Sequence, residues 1–291
     1  MYIRVKLQNL PNVARSIKTS HFYAIMKVRY HKIYHSERLI VLASVYKDIR
    51  YKWLIEKGFN VFGDEHQLAY MQSLWAPKEE VQAVFCDSKS GTGKTTLAVL
   101  AGAYEVEKAT DYDKIVYIRN AVATRDQGFL PGGVKDKERP FMKPFISALD
   151  KVQPGLFEVW AGERNRDDDD DEEFQGIKAE AITTSYERGV TYENAFVILD
   201  EAQNMSLHEL HTIYTRCADS CKITTIGSTQ QLDDPKIQRI NGLLPFEIFI
   251  QHYRGTKTKE HTLLKNYRGS FAAHADEIQE TIKMMTIGGN E

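Results

Sequence analysis

The stretch VFCDSKSGTGKTTLAVLAG, residues 84–102, limits the possible folds of this chain more than any other part of its sequence. An apolar run leads into a loop with two glycines, and a helical pattern begins at Gly-Lys-Thr. In such a strand–loop–helix turn, backbone N–H groups face inward and the helix N-terminus adds its positive dipole end, an arrangement that suits a phosphate group. The pattern G-x-x-x-x-G-K-[ST] is complete except that Ser88 replaces its first glycine.

The chemistry of this loop assigns a role to each important position. Glycine at positions 91 and 93 allows the backbone to approach a phosphate closely, Lys94 would reach the β- and γ-phosphates, and the Thr95 hydroxyl would bind Mg²⁺. Ser88 lies where the chain leaves the strand, so we expect Ser88→Gly to change nucleotide affinity little. The alternative is a glycine-rich turn without a ligand. The predicted nucleotide-binding residues of the loop are Ser88, Lys89, Ser90, Gly91, Thr92, Gly93, Lys94, Thr95 and Thr96.

From about residue 61, short apolar runs alternate with helical patterns, which is typical of a parallel α/β sheet. Strands are predicted over residues 81–86, 114–119, 177–182, 195–200 and 222–227. Helices should follow Lys94, Pro140, Ser206 and Ser270. The helix at Ser206 has the clearest start signal, because SLHE is a capping box.

Two further motifs follow predicted strands. AFVILDEAQNM, residues 195–205, is an apolar strand that ends in two carboxylates. Asp200 would hold Mg²⁺ through water and Glu201 would polarise an attacking water, although an acidic pair after a strand also serves as a helix cap. TTIGSTQQLDDP, residues 224–235, places polar side chains after another strand, where they would reach the γ-phosphate, although an ordinary polar turn is the alternative.

Composition indicates two regions of opposite charge. The 291 residues are 42% hydrophobic, enough for one sizeable core or for a main domain and a small one. Residues 1–60 hold 12 Lys and Arg against 3 Asp and Glu, a net charge of +9, and the remainder carries −11. Aromatic residues interleave with these basic ones, which suits a nucleic-acid surface, but a small β-rich domain with an aromatic core is the alternative. The acidic run at 167–173 is expected to be a solvated loop.

Sequence signals of membrane insertion and secretion are missing. No apolar run approaches the roughly 20 residues that a membrane helix needs, and no apolar signal-peptide core is present. The three cysteines include no C-x-x-C pair, so neither a zinc site nor a disulfide set is expected. We therefore expect a cytoplasmic protein without a membrane partner.

Four segments, GTGKTTLA, GFLPGGVKDKERPFMKPFISAL, YERGVTYENAFVILDEAQN and STQQLDDP, carry a specific resemblance. In order and spacing the chain resembles the PhoH-like ATPases over residues 60–285. The resemblance implies a RecA-like P-loop domain, an α/β fold with a mainly parallel sheet flanked by helices, related to superfamily 1 helicases. It also implies ATP and Mg²⁺ as cofactors, RNA or single-stranded nucleic acid as partner, and a ring-shaped homo-oligomer such as a hexamer.

The resemblance also implies roles for residues outside the loop. Gln231 and Asp233 match sensor-like positions, Gln67 matches a nucleotide-sensing glutamine, and the loop at 128–132 lies near the nucleotide. Arg188 and Gly189 precede the acidic strand. Arg216 and Arg268 match basic positions that contact phosphate, including contact across a subunit boundary. The predicted catalytic residues are thus Glu201, Lys94, Gln231, Arg216 and Arg268, and the predicted metal ligands are Thr95 and Asp200.

Three positions depart from the family pattern. They are Ser88, Gly133 in place of Asp, and Ser228 in place of the Asp of G-D-x-x-Q. Ser228 removes a carboxylate near the expected γ-phosphate, so we expect slower turnover or altered sensing, and Ser228→Asp should change hydrolysis. Such divergence would suit a phage-borne member of the family.

The predicted organisation is a basic N-terminal region at 1–60, a P-loop ATPase domain at 61–286 with the acidic loop at 163–174, and a tail at 287–291. The predicted activity is Mg²⁺-dependent ATP hydrolysis coupled to remodelling or unwinding of nucleic acid. One alternative is a nucleotide-gated nucleic-acid-binding protein with little turnover. The other is a thymidine-kinase-like phosphotransferase, although such enzymes normally add a four-cysteine zinc site.

Overall fold

The computed structural model of the protein describes residues 48–120, 134–162, 176–184, 191–234 and 237–275, together with positions 278 and 285. The chain divides into two compact units, Met1–Gly63 and Asp64–Glu291. In the first unit the described residues form helix α1 (Ile49–Glu56), capped by Asp48, and a 3-10 turn at Val61–Gly63. Residues 1–47 and the acidic loop at 163–174 lie outside the described residues, so the predictions made for them stay predictions.

The second unit is built around a six-stranded sheet in which every neighbouring pair is parallel. Its strand order is β3-β2-β4-β5-β1-β6. The strands are β1 (Ala83–Asp87), β2 (Lys114–Arg119), β3 (Ala179–Thr183), β4 (Ala195–Asp200), β5 (Lys222–Gly227) and β6 (Thr258–His261).

Helices flank this sheet. They are α2 (Glu65–Leu74), α3 (Lys94–Tyr104), α4 (Val134–Val152), α5 (Leu156–Trp160), α6 (Leu207–Tyr214), α7 (Pro245–Tyr253) and α8 (Ser270–Ala275). A π-helix, Glu105–Ala109, continues α3, and a 3-10 turn, Ala202–Asn204, follows β4. None of the helices within the described residues is long and apolar enough to cross a membrane.

The predicted fold class, an α/β RecA-like P-loop domain, is confirmed by this parallel sheet and its flanking helices. β2, β4 and β5 have the predicted bounds, whereas β1 and β3 begin two residues later than predicted. All six residues of β4 and of β5 are buried, and in β4 this burial agrees with an apolar run from Ala195 to Leu199. β6 was not predicted, because Thr258–His261 contains no apolar residue. The strand lies at the edge of the sheet.

The capping box predicted at Ser206 is confirmed. The Ser206 hydroxyl accepts a hydrogen bond from the Glu209 N–H at 3.2 Å, and the Glu209 carboxylate accepts one from the Ser206 N–H at 2.7 Å. Leu210 and Ile213 are buried on the inner face of α6, but Leu207, expected on that face, is 39% exposed. The helix predicted after Pro140 begins earlier, at Val134.

The parallel arrangement decides where the chemically important residues lie. The carboxyl ends of all six strands share one edge of the sheet, which is where ligands bind in open α/β sheets. In register, Asp87 of β1 aligns with Gly227 of β5, and Arg119 of β2 aligns with Asp200 of β4. Motifs that are more than 100 residues apart in sequence therefore meet at this edge.

Candidate functional site

The glycine-rich loop connects β1 to the N-terminus of α3, as the sequence predicts. Gly91 and Gly93 have φ angles of 77° and 86°, in the left-handed region that glycine adopts without steric cost. Gly93 is the N-cap of α3 and, as a glycine, provides no side chain to cap the helix. Because the first N–H groups of a helix have no intrahelical acceptor, this terminus presents donors to an anion.

Side chains from other elements enclose the loop. A Cβ atom at Gly91 would lie 2.8 Å from Arg268 Cγ, and one at Gly93 would lie 3.3 Å from Gln67 Nε2. Gln67 also donates a hydrogen bond to the Thr92 carbonyl at 3.0 Å. The predicted residues Gln67 and Arg268 thus both lie beside the loop. Lys94 extends across it, with its ammonium 3.2 Å from the Lys89 carbonyl.

Asp200, at the end of β4, connects the loop to the acidic motif. The Thr95 hydroxyl donates to its carboxylate, at 3.2 Å from each oxygen, and the Tyr117 hydroxyl of β2 donates to Oδ2 at 2.7 Å. Burial raises the pKa of the Asp200 carboxyl, and the neighbouring Glu201 charge raises it further. Arg119 and the Tyr117 hydrogen bond oppose that rise. Thr95 and Asp200, predicted as metal ligands, are therefore in direct contact.

Glu201 turns the chain at the end of β4. Its φ of 57° lies in the left-handed region, which residues other than glycine seldom adopt. Its N–H donates to Asp200 Oδ1 at 3.0 Å. Its carboxylate accepts a hydrogen bond from Gln203 Nε2 at 2.7 Å and lies 3.6 Å from the Arg119 guanidinium. Two side chains thus fix the direction of this carboxylate.

Gln203 connects Glu201 to the predicted sensor turn after β5. Its side chain is fully buried, and its Nε2 also donates to the Gln231 carbonyl at 3.0 Å. Its Oε1 accepts the Ser228 N–H at 2.9 Å. Asn204 extends the connection, because its Oδ1 accepts the N–H groups of Asp233 and Asp234. The acidic motif and the sensor turn therefore form one hydrogen-bonded unit.

Arg216 does not join this site within one chain. It follows the end of α6, and its carbonyl accepts the N–H of Tyr192, which precedes β4. At about 3.3 Å per residue, β4 alone separates Ala195 from Asp200 by roughly 17 Å, and Tyr192 precedes Ala195, so Arg216 lies toward the opposite end of the strand from Asp200. Among the described residues, Arg216 Nη1 is buried without a hydrogen-bond partner. Contact between Arg216 and phosphate therefore stays a prediction, and this position favours contact across a subunit boundary over contact within one chain.

Some predictions concern residues that the structure does not describe. They are the loop at 128–132, Gly133, Arg188 and Gly189.

Sequence reasoning missed several residues that support the site: Asp64, Asp87, Tyr117, Arg119, Gln203, Asn204, Tyr267 and Thr229. Gln203 and Asn204 were within a recognised motif, so their position after Asp-Glu was the available signal. Tyr117 lies in an apolar strand, where the sequence pattern predicts that an aromatic residue belongs to the hydrophobic core. The contacts of Asp64 and Tyr267, 3.0 Å apart between carboxylate and hydroxyl, span about 200 residues and left no local signal.

The fold and this edge of the sheet define a P-loop nucleotide-binding protein with a RecA-like domain. The family model described as PhoH-like protein matches residues 63–278, so the chain belongs to the PhoH-like protein family. The family predicted from the sequence motifs is thereby confirmed.

Curated relatives agree with this assignment. Protein PhoH2 of Bacillus subtilis (strain 168) is 32% identical over 208 residues, covering 69% of this chain and 44% of that protein. A PhoH-like protein of Synechocystis sp. is 33% identical over 172 residues, covering 59% of this chain and 48% of that protein. Protein PhoH of Escherichia coli (strain K12) is 30% identical over 174 residues, covering 60% of this chain and 45% of that protein. The chain thus spans less than half the length of these relatives.

The Gln203 network makes a prediction about stability. Gln203→Met keeps the side-chain volume but leaves the buried Ser228 N–H without its acceptor, so the free energy of unfolding should fall by about 2 kcal/mol. Gln230→Met is the matched control, since Gln230 is an exposed glutamine in the same turn, and it should change stability by less than about 0.5 kcal/mol. Urea unfolding of both variants measures the difference. Equal losses in the two variants would contradict a structural role for the network.

Proposed function

We propose that the protein binds ATP with Mg²⁺ and hydrolyses it at the carboxyl edge of the sheet. The observation that carries the proposal is the contact between the Thr95 hydroxyl of the loop and the Asp200 carboxylate, with Glu201 next in the chain. This contact brings a phosphate-binding loop, a pair of oxygen ligands and a second carboxylate together. Such a combination serves phosphoryl transfer to water.

The residues present fit a magnesium ion. Mg²⁺ prefers oxygen ligands, keeps several waters and is bound through one or two carboxylates together with substrate phosphates. Thr95 and Asp200 supply a hydroxyl and a carboxylate side by side, and the uncapped N-terminus of α3 lies at the same loop. When bound, the ion would neutralise charge on the phosphates. Thr95 and Asp200 would hold it, and Lys94 would pair with the outer phosphates.

Glu201 would orient and polarise the attacking water. Gln203 and Arg119 hold its carboxylate, so little rotational freedom has to be lost when a water binds there. A binding protein with little turnover would not require this orientation, so the arrangement favours hydrolysis over a nucleotide-gated binding role. A thymidine-kinase-like activity is disfavoured by the cysteines, since three residues cannot form a four-cysteine zinc site.

Two substitutions separate binding from hydrolysis. Glu201→Gln should retain ATP binding but lower the hydrolysis rate by about 100-fold or more, because the general base is lost. Lys94→Ala should lose both ATP binding and hydrolysis, because the outer phosphates lose their contact with the Lys94 ammonium. Phosphate release and nucleotide binding are measured with and without single-stranded RNA, and thymidine is included to test for a phosphorylated nucleoside. A wild-type rate no faster than that of Lys94→Ala under every condition would overturn the enzyme proposal.

We further propose that the protein self-associates, as a ring such as a hexamer, to act on nucleic acid. Translocation along a strand needs two RecA-like surfaces that move against each other, and this chain contributes one. Within the described part of the chain, the buried Nη1 of Arg216 has no hydrogen-bond partner, and it lies far from its own nucleotide site, which is compatible with a role at a neighbouring subunit's site. Unwinding of nucleic acid, a helicase activity, is part of what we propose for this ring.

Mixing variants tests contact across a subunit boundary. In a ring formed from Lys94→Ala and Arg216→Ala subunits, some boundaries place an intact loop beside an intact Arg216. The mixture should regain about a quarter of wild-type hydrolysis if the subunits assort at random. Arg254→Ala, which alters an exposed arginine paired with Glu260, is the control and should keep the wild-type rate. A mixture no more active than its separate components would exclude this role for Arg216.

RNA is the proposed nucleic acid, and the basic region at 1–60 is the proposed contact surface. The support is the charge of +9 over those residues, with aromatic residues interleaved. Cations would neutralise phosphates, and rings would stack on unpaired bases.

Salt dependence tests this surface. Deleting residues 1–60 should weaken RNA binding and flatten its salt dependence. Full-length chains with four basic residues neutralised should lose about 0.7 in the slope of log K against log salt for each phosphate contact removed. The residues to change are Arg15, Lys18, Lys27 and Arg29. The control neutralises four exposed residues of the second unit, Lys108, Arg254, Lys257 and Lys259. If the four substitutions at 15–29 leave the slope of log K against log salt unchanged, the N-terminal region does not contact RNA phosphates and has a structural or oligomerisation role.

A further inference from the structure

Ser88, the residue that replaces the first glycine of the loop pattern, makes a contact that glycine cannot make. Its side chain is buried, and its hydroxyl accepts a hydrogen bond from the Leu263 N–H at 2.7 Å. The same oxygen lies 3.4 Å from the Cys86 thiol, and the Ser88 N–H donates to the Gly227 carbonyl at 3.1 Å. Leu263 is itself buried, so its N–H depends on this acceptor.

Leu263 begins a segment, residues 263–268, that lies beside the phosphate-binding loop in the folded chain. The Tyr267 N–H donates to the Gly91 carbonyl at 2.9 Å, and the Arg268 guanidinium donates to the Ser90 hydroxyl. The Tyr267 hydroxyl donates to Asp64 at 3.0 Å. The 263–268 segment is therefore attached to the loop at its beginning, through Ser88, and at its end.

We propose that Ser88 is a positioning residue whose hydroxyl fixes the start of the 263–268 segment and thereby holds Arg268 beside the bound phosphates. This inference rests on the proposed nucleotide binding. The Arg268 guanidinium donates to the Ser90 hydroxyl of the loop, and that contact requires the backbone of the 263–268 segment to hold Arg268 beside the loop. Without Ser88, the Leu263 N–H loses its acceptor and the beginning of the segment loses its hydrogen bond to the loop.

The residue before Ser88 holds a different element and supplies a comparison. Asp87 accepts hydrogen bonds from the Thr229 N–H at 3.0 Å and from its hydroxyl at 2.7 Å. Asp87 thus fixes the turn after β5, while Ser88 fixes the 263–268 segment. A substitution at Thr229 disturbs the same end of β1 without touching the segment that carries Arg268.

A double-mutant cycle tests the inference through the affinity for a fluorescent, non-hydrolysable ATP analogue with Mg²⁺. Ser88→Ala should weaken binding about fivefold and Arg268→Ala about tenfold, in line with the loss of one hydrogen bond and one charged contact. Because Ser88 acts through Arg268, the double variant should bind no more weakly than Arg268→Ala alone. Thr229→Val combined with Arg268→Ala should instead show additive losses. Additive losses for Ser88 and Arg268 would overturn the inference.

Further variants separate the hydroxyl from general packing. Ser88→Thr keeps the hydroxyl and should bind within about twofold of wild type. Ser88→Gly should bind as weakly as Ser88→Ala, in contrast to the expectation from the sequence alone. Wild-type affinity in Ser88→Gly would overturn the inference.

Hydrogen exchange on the nucleotide-free protein keeps this test independent of the proposed function. Ser88→Ala should raise exchange at the Leu263 and Tyr267 amides, whereas Arg268→Ala should leave Leu263 protected. Unchanged exchange at both amides in Ser88→Ala would overturn the inference. If the wild-type protein binds no nucleotide, the proposed function fails, while the exchange result still decides whether Ser88 fixes the segment.

Discussion

The buried carboxylate of Asp200 is the group around which the site is arranged. It accepts hydrogen bonds from Thr95 of the loop, from Tyr117 of β2 and from the Glu201 N–H. An unpaired carboxylate at a buried position is costly, so these partners must be in place together. The same bonds set the distance between the phosphate-binding loop and the acidic motif. The position proposed for Mg²⁺ is thus also the position on which local structure depends.

A second set of contacts carries this arrangement to the neighbouring loops. Gln203 connects Glu201 to the turn after β5, and Asp87 and Ser88 connect the end of β1 to two separate segments. Each connection uses a buried or half-buried polar group whose loss would leave a partner unsatisfied. Hydrogen bonds therefore connect the ends of β1 and β4 to the loops around the phosphate-binding loop.

The three departures from the family pattern have different consequences. Ser88 gains a hydrogen bond to Leu263 that a glycine cannot form, so the substitution is compensated by a new contact. Ser228 still supplies the N–H that Gln203 accepts, although it lacks the carboxylate expected near the γ-phosphate. The first departure therefore concerns the position of a segment, and the second concerns the chemistry of the reaction. Gly133 lies outside the described residues.

By itself the sequence determined the α/β class, the bounds of β2, β4 and β5, and the residues of the loop and the acidic motif. These features are local, because a short strand pattern or a Gly-Lys-Thr turn carries its signal within a short window. Only the tertiary structure decided that Arg216 lies at the opposite edge from its own site and that Tyr117, Arg119 and Gln203 orient the two carboxylates. It also decided that Ser88 meets Leu263. Such contacts join residues up to 175 positions apart, and they depend on the strand order of the sheet, which no short window of sequence contains.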